Sequence, residues 1–286
     1  MKKRIQRALR AVAWLLALGF ALTVCSAPKM QLKPGAGYVA MGSSFAAGPL
    51  LGAPREQLDP RCLGSVENYP HQLARLRGFD LTDVSCSGAK TAHILGPWKE
   101  LAPQIDAVTP ETQLVTVTVG GNDLGYIGGL IQAACANAGP NPAFGRGCGT
   151  IPAEPDKAAY QGVAERLGEI AAQVAARAPK ARLVFVNYAS VLPPDSVCPQ
   201  LALTPAQADQ GRAIAKRLAK ITAQAADENG AQLVDAAALT QAHHACADEP
   251  WMTGYLDAAG QHQRMPYHPT QAGMTAVAEA LAGALP

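Results

Sequence analysis

Three apolar stretches of the chain each end in a short polar segment whose residue types could do chemistry. These segments are Gly42-Ser43-Ser44, Ser85-Cys86-Ser87-Gly88 and Gly120-Gly121-Asn122-Asp123. A serine hydroxyl can act as a nucleophile when a base takes its proton, and amide N–H groups can stabilise a developing negative charge. Each segment alone could equally be an ordinary turn, because glycine and asparagine are common turn residues. Six histidines are candidate bases, but their sequence pattern does not choose between them.

The elements that must position these segments are alternating strands and helices. Strands are predicted at 37–42, 80–85, 113–119, 182–188 and 231–235, and helices at 69–77, 98–107, 156–178, 205–228 and 271–284. Most of the strands are rich in Val and Leu, as strands buried on both faces are. The alternation predicts a three-layer α/β fold with a doubly wound parallel sheet of the flavodoxin-like type and right-handed crossovers.

The order of the strands decides whether the polar segments meet. Ligands of doubly wound sheets bind beyond the carboxyl ends of the strands. With strand order 2-1-3-4-5 the first three strands are neighbours, and their three polar segments lie at one edge of the sheet. This joint placement favours a single functional site over three unrelated turns.

The last two helices begin with clear capping signals. Thr204-Pro205-Ala206-Gln207 places a capping hydroxyl, a proline at the first helical position and a glutamine three residues after the cap. Pro269-Thr270-Gln271 opens the final helix in a similar way, and Pro269 favours an extended backbone at His268. His268 is therefore expected on the loop before that helix. Segments 136–155 and 189–203, rich in Pro, Gly and Asn, are predicted to be long loops.

The first 27 residues have the layout of a secretory signal: a basic start, an apolar run at 11–24 and then Cys25-Ser26-Ala27. Cleavage after Ala27 is the favoured prediction, lipid attachment at Cys25 is the second, and a retained anchor is less favoured. Residues 28–286 would then form a single domain without a further membrane span. Residues 1–27 contain five of the 24 Lys and Arg and none of the 22 Asp and Glu. The remaining net charge of −3 gives no electrostatic basis for nucleic-acid binding.

The cysteines agree with export from the cell. There are seven, and removal or lipidation of Cys25 leaves six, an even number suited to disulfides in an oxidising compartment. Six cysteines allow 15 pairings. We favour the sequential set, Cys62–Cys86, Cys135–Cys148 and Cys198–Cys246. A zinc site is disfavoured because the sequence has no CxxC pair or Cys/His cluster at ligand spacing.

Four blocks together resemble a known family. They are Tyr38–Ser44, Cys86–Ala89, Val119–Asp123 and His268–Gly273, and they are similar to the serine, glycine, asparagine and histidine blocks of the SGNH (GDSL-type) hydrolases. Asn68-Tyr69-Pro70, Cys246 and Pro250-Trp251 resemble the secreted actinobacterial-type esterase and lipase branch, which commonly has three disulfides. The resemblance covers roughly residues 37–280.

The resemblance implies a role for each block residue. Ser44 would be the nucleophile and His268 its general base. The oxyanion donors would be the Ser44 N–H, the Gly88 N–H and the Asn122 side-chain amide. The expected protein is a secreted, periplasmic or cell-surface bacterial carboxylic-ester hydrolase that acts on an ester or lipid. It would be a monomer without a cofactor, and the sequence has no P-loop, dinucleotide fingerprint or HExxH motif.

The chain departs from the family pattern at two positions. It has Gly42-Ser43-Ser44 where the family usually has Gly-Asp-Ser, and Met265 stands where an aspartate usually precedes the histidine by three residues. Since an imidazole needs a partner that fixes its tautomer, the main-chain carbonyl of Met265 is the expected partner. Asp248 or Asp257 is the alternative.

Two other kinds of function stay open. The same site would suit a polysaccharide deacetylase or a phospholipase, and the two departures would suit a catalytically silent binding protein on this fold. Trp98 and Trp251 could line an acyl pocket, although a tryptophan is more often a core residue.

Overall fold

The sheet of the computed structural model has five parallel strands in the order β2-β1-β3-β4-β5. The structure describes residues 31–56, 59–144 and 147–286, and Leu32–Pro286 form one compact unit. The strands are β1 (Gly37–Gly42), β2 (Asp80–Asp83), β3 (Thr112–Thr118), β4 (Arg182–Val186) and β5 (Gln232–Val234). The predicted fold class and strand order are confirmed. The predicted signal at 1–27 lies outside the described residues.

Side chains alternate between two cores, one on each face of the sheet. Val39 and Met41 of β1 join the larger core, whereas Tyr38 and Ala40 join the smaller one. This period of two is expected for a strand covered on both sides. β1 and β3 are paired from Tyr38 opposite Leu114 to Gly42 opposite Thr118, so their carboxyl ends are level.

Eight α-helices are described. They are α1 (Ser44–Ala47), α2 (Tyr69–Arg77), α3 (Thr91–Leu95), α4 (Tyr126–Ala138), α5 (Lys157–Arg177), α6 (Pro205–Glu228), α7 (Ala236–Leu239) and α8 (Gln271–Ala284). Helices α4, α5 and α6 contribute to the larger core, and α2 and α8 to the smaller one. Thr204 and Thr270 accept the expected capping hydrogen bonds at the starts of α6 and α8. Within the described residues, no helix is both long and apolar enough to span a bilayer.

One predicted helix is absent, and one long helix was not predicted. The stretch predicted as a helix at 98–107 is an irregular turn joined by a bridge between Trp98 and Leu101, followed by a short 3-10 helix, Gln104–Ala107. Pro103 disfavours helical backbone at the residue before it. Conversely, α4 was missed because Gly128 and Gly129 lower the intrinsic helix propensity. Its burial in the larger core outweighs that propensity.

The six described cysteines form Cys62–Cys86, Cys135–Cys148 and Cys198–Cys246. These are the sequential pairs that the sequence favoured. The second and third pairs hold the two Pro- and Gly-rich loops. The first joins the 3-10 helix Pro60–Cys62 to the segment that follows β2.

Candidate active site

The backbone at the end of β1 is held tightly just before Ser44. Gly42 has φ +146°, and a Cβ there would lie 2.4 Å from the Thr118 carbonyl oxygen, so only glycine fits. The Gln104 side chain accepts a hydrogen bond from the Gly42 N–H (2.7 Å) and donates one to the Gly42 carbonyl (3.0 Å). Ser44 then begins α1, and its position relative to the sheet is fixed.

Ser44 and His268 meet although 224 residues separate them in sequence. The Ser44 Oγ lies 2.8 Å from His268 Nε2. Ser44 is 7% exposed and His268 is 3% exposed, so little water competes for this contact. The serine hydroxyl is therefore placed to give its proton to the imidazole.

The other ring nitrogen of His268 is oriented by a main-chain carbonyl. His268 Nδ1 lies 2.8 Å from the Pro266 carbonyl oxygen. Because a carbonyl can only accept, Nδ1 carries the proton and Nε2 of the neutral ring is free to act as a base. The expected Met265 carbonyl was the wrong one, since it accepts a hydrogen bond from the Thr253 hydroxyl (2.7 Å). The alternative acid Asp257 accepts backbone N–H groups of its own loop.

Burial also keeps the His268 ring neutral. It lowers the pKa of His268 to about 4, although the hydrogen bond to Pro266 acts in the opposite direction. A charged imidazolium would lose its hydration in this site. The ring is therefore unprotonated at Nε2 at neutral pH, as a general base must be.

Gly88 and Asn122 lie on two loops that are hydrogen-bonded to each other. The Asn122 side-chain amide donates to the carbonyl of Ala89, the residue after Gly88 (2.9 Å). Asp123 accepts from the backbone N–H and the hydroxyl of Thr91. Gly88 has φ +85°, a conformation that suits glycine. The structure thus connects the glycine and asparagine segments directly.

The chain matches known proteins over almost its whole length. Residues 40–276 match the profile of the GDSL-like Lipase/Acylhydrolase family. Lipase 2 of Streptomyces coelicolor is 33% identical over 97% of this chain and 95% of its own length.

This chain belongs to the GDSL-like lipase/acylhydrolase family.

The predicted resemblance is confirmed, and the protein is an ester hydrolase of the lipase and esterase type. Solved structures agree on the fold. Phospholipase A1 from Streptomyces albidoflavus superposes with a TM-score of 0.66 at 23% identity, over 87% of this chain and 99% of that one. The extracellular lipase of Streptomyces rimosus also gives 0.66 at 23% identity, over 87% of this chain and 100% of that one.

The residue that replaces the family aspartate has a partner that the sequence did not reveal. Ser43 is fully buried, and its hydroxyl lies 2.7 Å from the Tyr188 hydroxyl. That hydroxyl also accepts a hydrogen bond from the Gly121 N–H (3.1 Å). Burial raises the pKa of Tyr188 to about 12, so its hydroxyl stays neutral. Ser43 and Tyr188 connect the serine and asparagine segments of this family member.

A second residue missed from the sequence holds the histidine loop. The Thr253 hydroxyl accepts from the His268 N–H (3.0 Å) and donates to Met265, while the Thr253 N–H donates to the His268 carbonyl (2.9 Å). The intervening Tyr267 has φ +60°, which is uncommon for a residue with a side chain. A single threonine between irregular segments carries no sequence signal for this role.

Proposed function

We propose that the protein is a secreted carboxylic-ester hydrolase in which Ser44 and His268 form a catalytic dyad. The observation that carries this proposal is the buried 2.8 Å contact between Ser44 Oγ and His268 Nε2. A catalytically silent binding protein has no need of a neutral, oriented imidazole beside a serine hydroxyl. The dyad therefore favours catalysis over binding alone.

In the first half of the reaction, the Ser44 oxygen attacks the ester carbonyl and its proton moves to His268 Nε2. The new C–O bond forms as the carbonyl π electrons move to oxygen. When this tetrahedral species collapses, the bond to the leaving alcohol breaks and His268 returns the proton to that alcohol. In the second half, water attacks the acyl carbonyl and gives a proton to His268 Nε2, the bond to Ser44 Oγ breaks, and His268 returns the proton to that oxygen as the acid product leaves. The Pro266 carbonyl stabilises the transient imidazolium through its bond from Nδ1.

The negative oxygen of the tetrahedral species requires donors that are already in place. The proposed donors are the Ser44 N–H, the Gly88 N–H and the Asn122 side chain. One N–H of the Asn122 amide is directed to Ala89, which fixes the plane of the amide and leaves its second N–H for the substrate. A neutral amide stabilises the transient anion without retaining a carboxylate product as a cation would.

Export is supported by three features. The first 27 residues have the composition of a signal, and the described residues form three disulfides of the kind that persist outside the cytosol. A neighbouring structure is that of an extracellular lipase. The protein is therefore proposed to act outside the cytosol.

A phosphonate ester directed at serine tests the dyad. We expect stoichiometric loss of activity and a covalent adduct on the peptide that contains Ser43 and Ser44, with fragmentation placing it on Ser44. Mass spectrometry of the digested protein measures the adduct. An adduct on Ser43 would exclude the proposed dyad. Absence of p-nitrophenyl ester hydrolysis before the phosphonate is added would exclude the proposed activity.

Loss of the Asn122 amide is expected to lower turnover. Asn122→Ala removes one proposed oxyanion donor and should reduce kcat by about 10²–10³-fold. KM should change much less, because the donor acts on charge that develops after binding. Steady-state kinetics with a soluble ester measures both constants. An unchanged kcat in the folded variant would remove Asn122 from the oxyanion hole.

The low pKa of His268 predicts an unusually acid-tolerant enzyme. Activity requires neutral His268, so kcat/KM should stay high below the ordinary histidine pKa of about 6.5 and fall as pH drops through about 4. The unfolded chain takes up this proton near pH 6.5, whereas the folded protein takes it up only near pH 4. The free energy of unfolding is therefore unaffected by this group above about pH 6.5 and decreases as pH falls toward 4. A pH profile of kcat/KM, corrected for unfolding, measures the acid limb. A limb near 6.5 would contradict the effect of burial.

A further inference from the structure

A cavity of about 470 Å³, here called the Trp98 cavity, lies beside the carboxyl end of β2. Its wall consists of the end of β2, the Cys62–Cys86 disulfide and the irregular segment that was predicted as a helix. Most of the lining side chains are apolar, among them Val84, Trp98, Leu101 and Ala107. The volume is within the range of about 300–1,000 Å³ that small-molecule sites occupy.

The Trp98 cavity adjoins the proposed catalytic groups on two sides. Gln104, which lines it, holds the backbone of Gly42. Cys86 also lines it, and the Cys86 N–H donates to the Gly42 carbonyl (3.0 Å). On the second side, the Trp98 ring edge lies 3.2 Å from where a Cβ on Gly88 would be. The Trp98 ring is thus the part of the cavity wall that lies against a proposed oxyanion donor.

Trp98 is held in place as a rigid wall. The His93 ring stacks on it at 4.3 Å between centroids and with an interplanar angle of 6°. The Arg61 guanidinium lies 4.6 Å from the ring centroid and donates to the Trp98 carbonyl (2.8 Å). Such stacking contacts restrict the ring to one orientation. The shape of the cavity beside Gly88 is therefore set by a fixed side chain.

The charged residues around the Trp98 cavity do not make it a site for an ionic ligand. Arg55 and Asp83 form an ion pair with each other at 2.7 Å, and Asp106 pairs with Arg177 (2.9 Å). Glu56 is exposed. The rest of the lining is mostly hydrocarbon, an aromatic ring and a disulfide, and its polar side chains His93 and Gln104 are engaged with Trp98 and Gly42. An alkyl chain gains free energy on entering such a surface.

Another cavity of similar volume, about 480 Å³, lies between α6 and the loops after β4 and β5. Its lining is also mostly apolar, with Arg212, Lys216 and Asp235 among the exceptions. This second cavity, here called the Lys216 cavity, serves as an internal comparison of matched size at a different place in the fold.

We propose that the Trp98 cavity receives the acyl chain of the substrate and that Trp98 and Ala107 limit the chain length. The inference rests on the proposed function, because the acyl carbonyl must lie at Ser44 and Gly88 for its chain to pass Trp98. An acetyl group ends before it reaches the cavity, whereas an octanoyl chain enters it. Binding energy from the chain is then available to the reaction.

The test compares two alanine-to-phenylalanine variants, one in each cavity. Ala107→Phe fills the Trp98 cavity, and Ala219→Phe fills the Lys216 cavity, which Ala219 also lines. The readout is kcat/KM for p-nitrophenyl acetate, butyrate, octanoate and laurate. Ala107→Phe should lower the octanoate-to-acetate ratio by about 10-fold or more, because several methylenes lose their site. It should change acetate hydrolysis by less than about threefold, and Ala219→Phe should leave the ratio unchanged.

Trp98→Leu gives an independent second variant. Removing the wall should raise the laurate-to-acetate ratio relative to the unmodified protein, and thermal unfolding checks that both cavity variants fold. The inference is overturned if the ratios of Ala107→Phe and Trp98→Leu match those of the unmodified protein, or if Ala219→Phe lowers the ratio instead. Failure of the unmodified protein to hydrolyse any of the four esters would reject the proposed function itself, a different result from unchanged ratios.

Discussion

Ser44→Ala is expected to reduce kcat for ester hydrolysis by about 10⁴-fold or more, because it removes the only atom that can form the proposed acyl-enzyme. The neighbouring Ser43→Ala is the matched control. Ser43 is fully buried, and its hydroxyl faces Tyr188 rather than His268. Its loss should cost stability of about 1 kcal/mol through one buried hydrogen bond while most activity remains.

Comparing the two variants distinguishes a loss of catalysis from a loss of stability. Both replace a serine at adjacent positions, so expression and oxidative folding should be similar. Burst-phase and steady-state assays with p-nitrophenyl butyrate measure turnover, and the unfolding midpoint measures stability. Loss of turnover in Ser43→Ala with retention in Ser44→Ala would move the nucleophile by one residue and would contradict the observed contact with His268.

The second large effect concerns an ion pair beneath the glycine segment. Arg55 contacts the Asp83 carboxylate at 2.7 Å, and the two side chains are only 5% and 2% exposed. Arg55 also donates to the main-chain carbonyls of Asp83 (2.6 Å) and Ser85 (2.5 Å). Asp83 accepts further bonds from Asn68 and Ser85. This network fixes the chain just before Cys86 and Gly88.

Arg55→Met should destabilise the fold by about 3–5 kcal/mol, because it leaves the Asp83 carboxylate buried without its cation. Urea denaturation of the disulfide-bonded protein measures the change. Adding Asp83→Asn to Arg55→Met should recover part of the loss, since the buried charge is then gone. If Arg55→Met alone leaves the free energy of unfolding within about 0.5 kcal/mol, the network does not stabilise the native state.

The pH dependence of stability should report the same pair. Burial by itself raises the pKa of Asp83, but the His71 ring and the Arg55 charge outweigh it, and the net pKa is lowered. A carboxylate whose pKa is lowered on folding stabilises the fold above its unfolded pKa of about 4. This contribution to the free energy of unfolding is lost as pH falls below that value and through the lower folded pKa. The acid-induced loss of stability should therefore be smaller in the Arg55→Met, Asp83→Asn double variant than in the unmodified protein.

The sheet was predictable because its signals are local. Three of the five strands, β3, β4 and β5, coincide with Val- and Leu-rich runs, and α6 begins and ends where its Thr204 cap and its apolar period indicated. The errors arose where tertiary contacts outweigh propensity. Helix α4 forms despite two adjacent glycines, and the segment around Trp98 remains irregular since its ring packs against Gly88 and His93.

The site was predictable only in part. The resemblance selected Ser44, Gly88, Asn122 and His268 from their blocks, and the structure places Ser44 against His268 and Asn122 against the residue after Gly88. The partner of His268 Nδ1 was displaced by one residue from the prediction. Every residue has a main-chain carbonyl, so the residue type at 265 or 266 says nothing about which oxygen points at the ring.

The sequence by itself determined the strand and helix alternation, the family and the residues of its four blocks, because these depend on residue types at short spacing. Only the tertiary structure decided which carbonyl orients His268, that Tyr188 and Thr253 support the site, and that a largely apolar cavity lies beside the carboxyl end of β2. These features join segments tens to hundreds of residues apart. Their geometry follows from how the loops pack at the edge of the sheet, which no local pattern encodes.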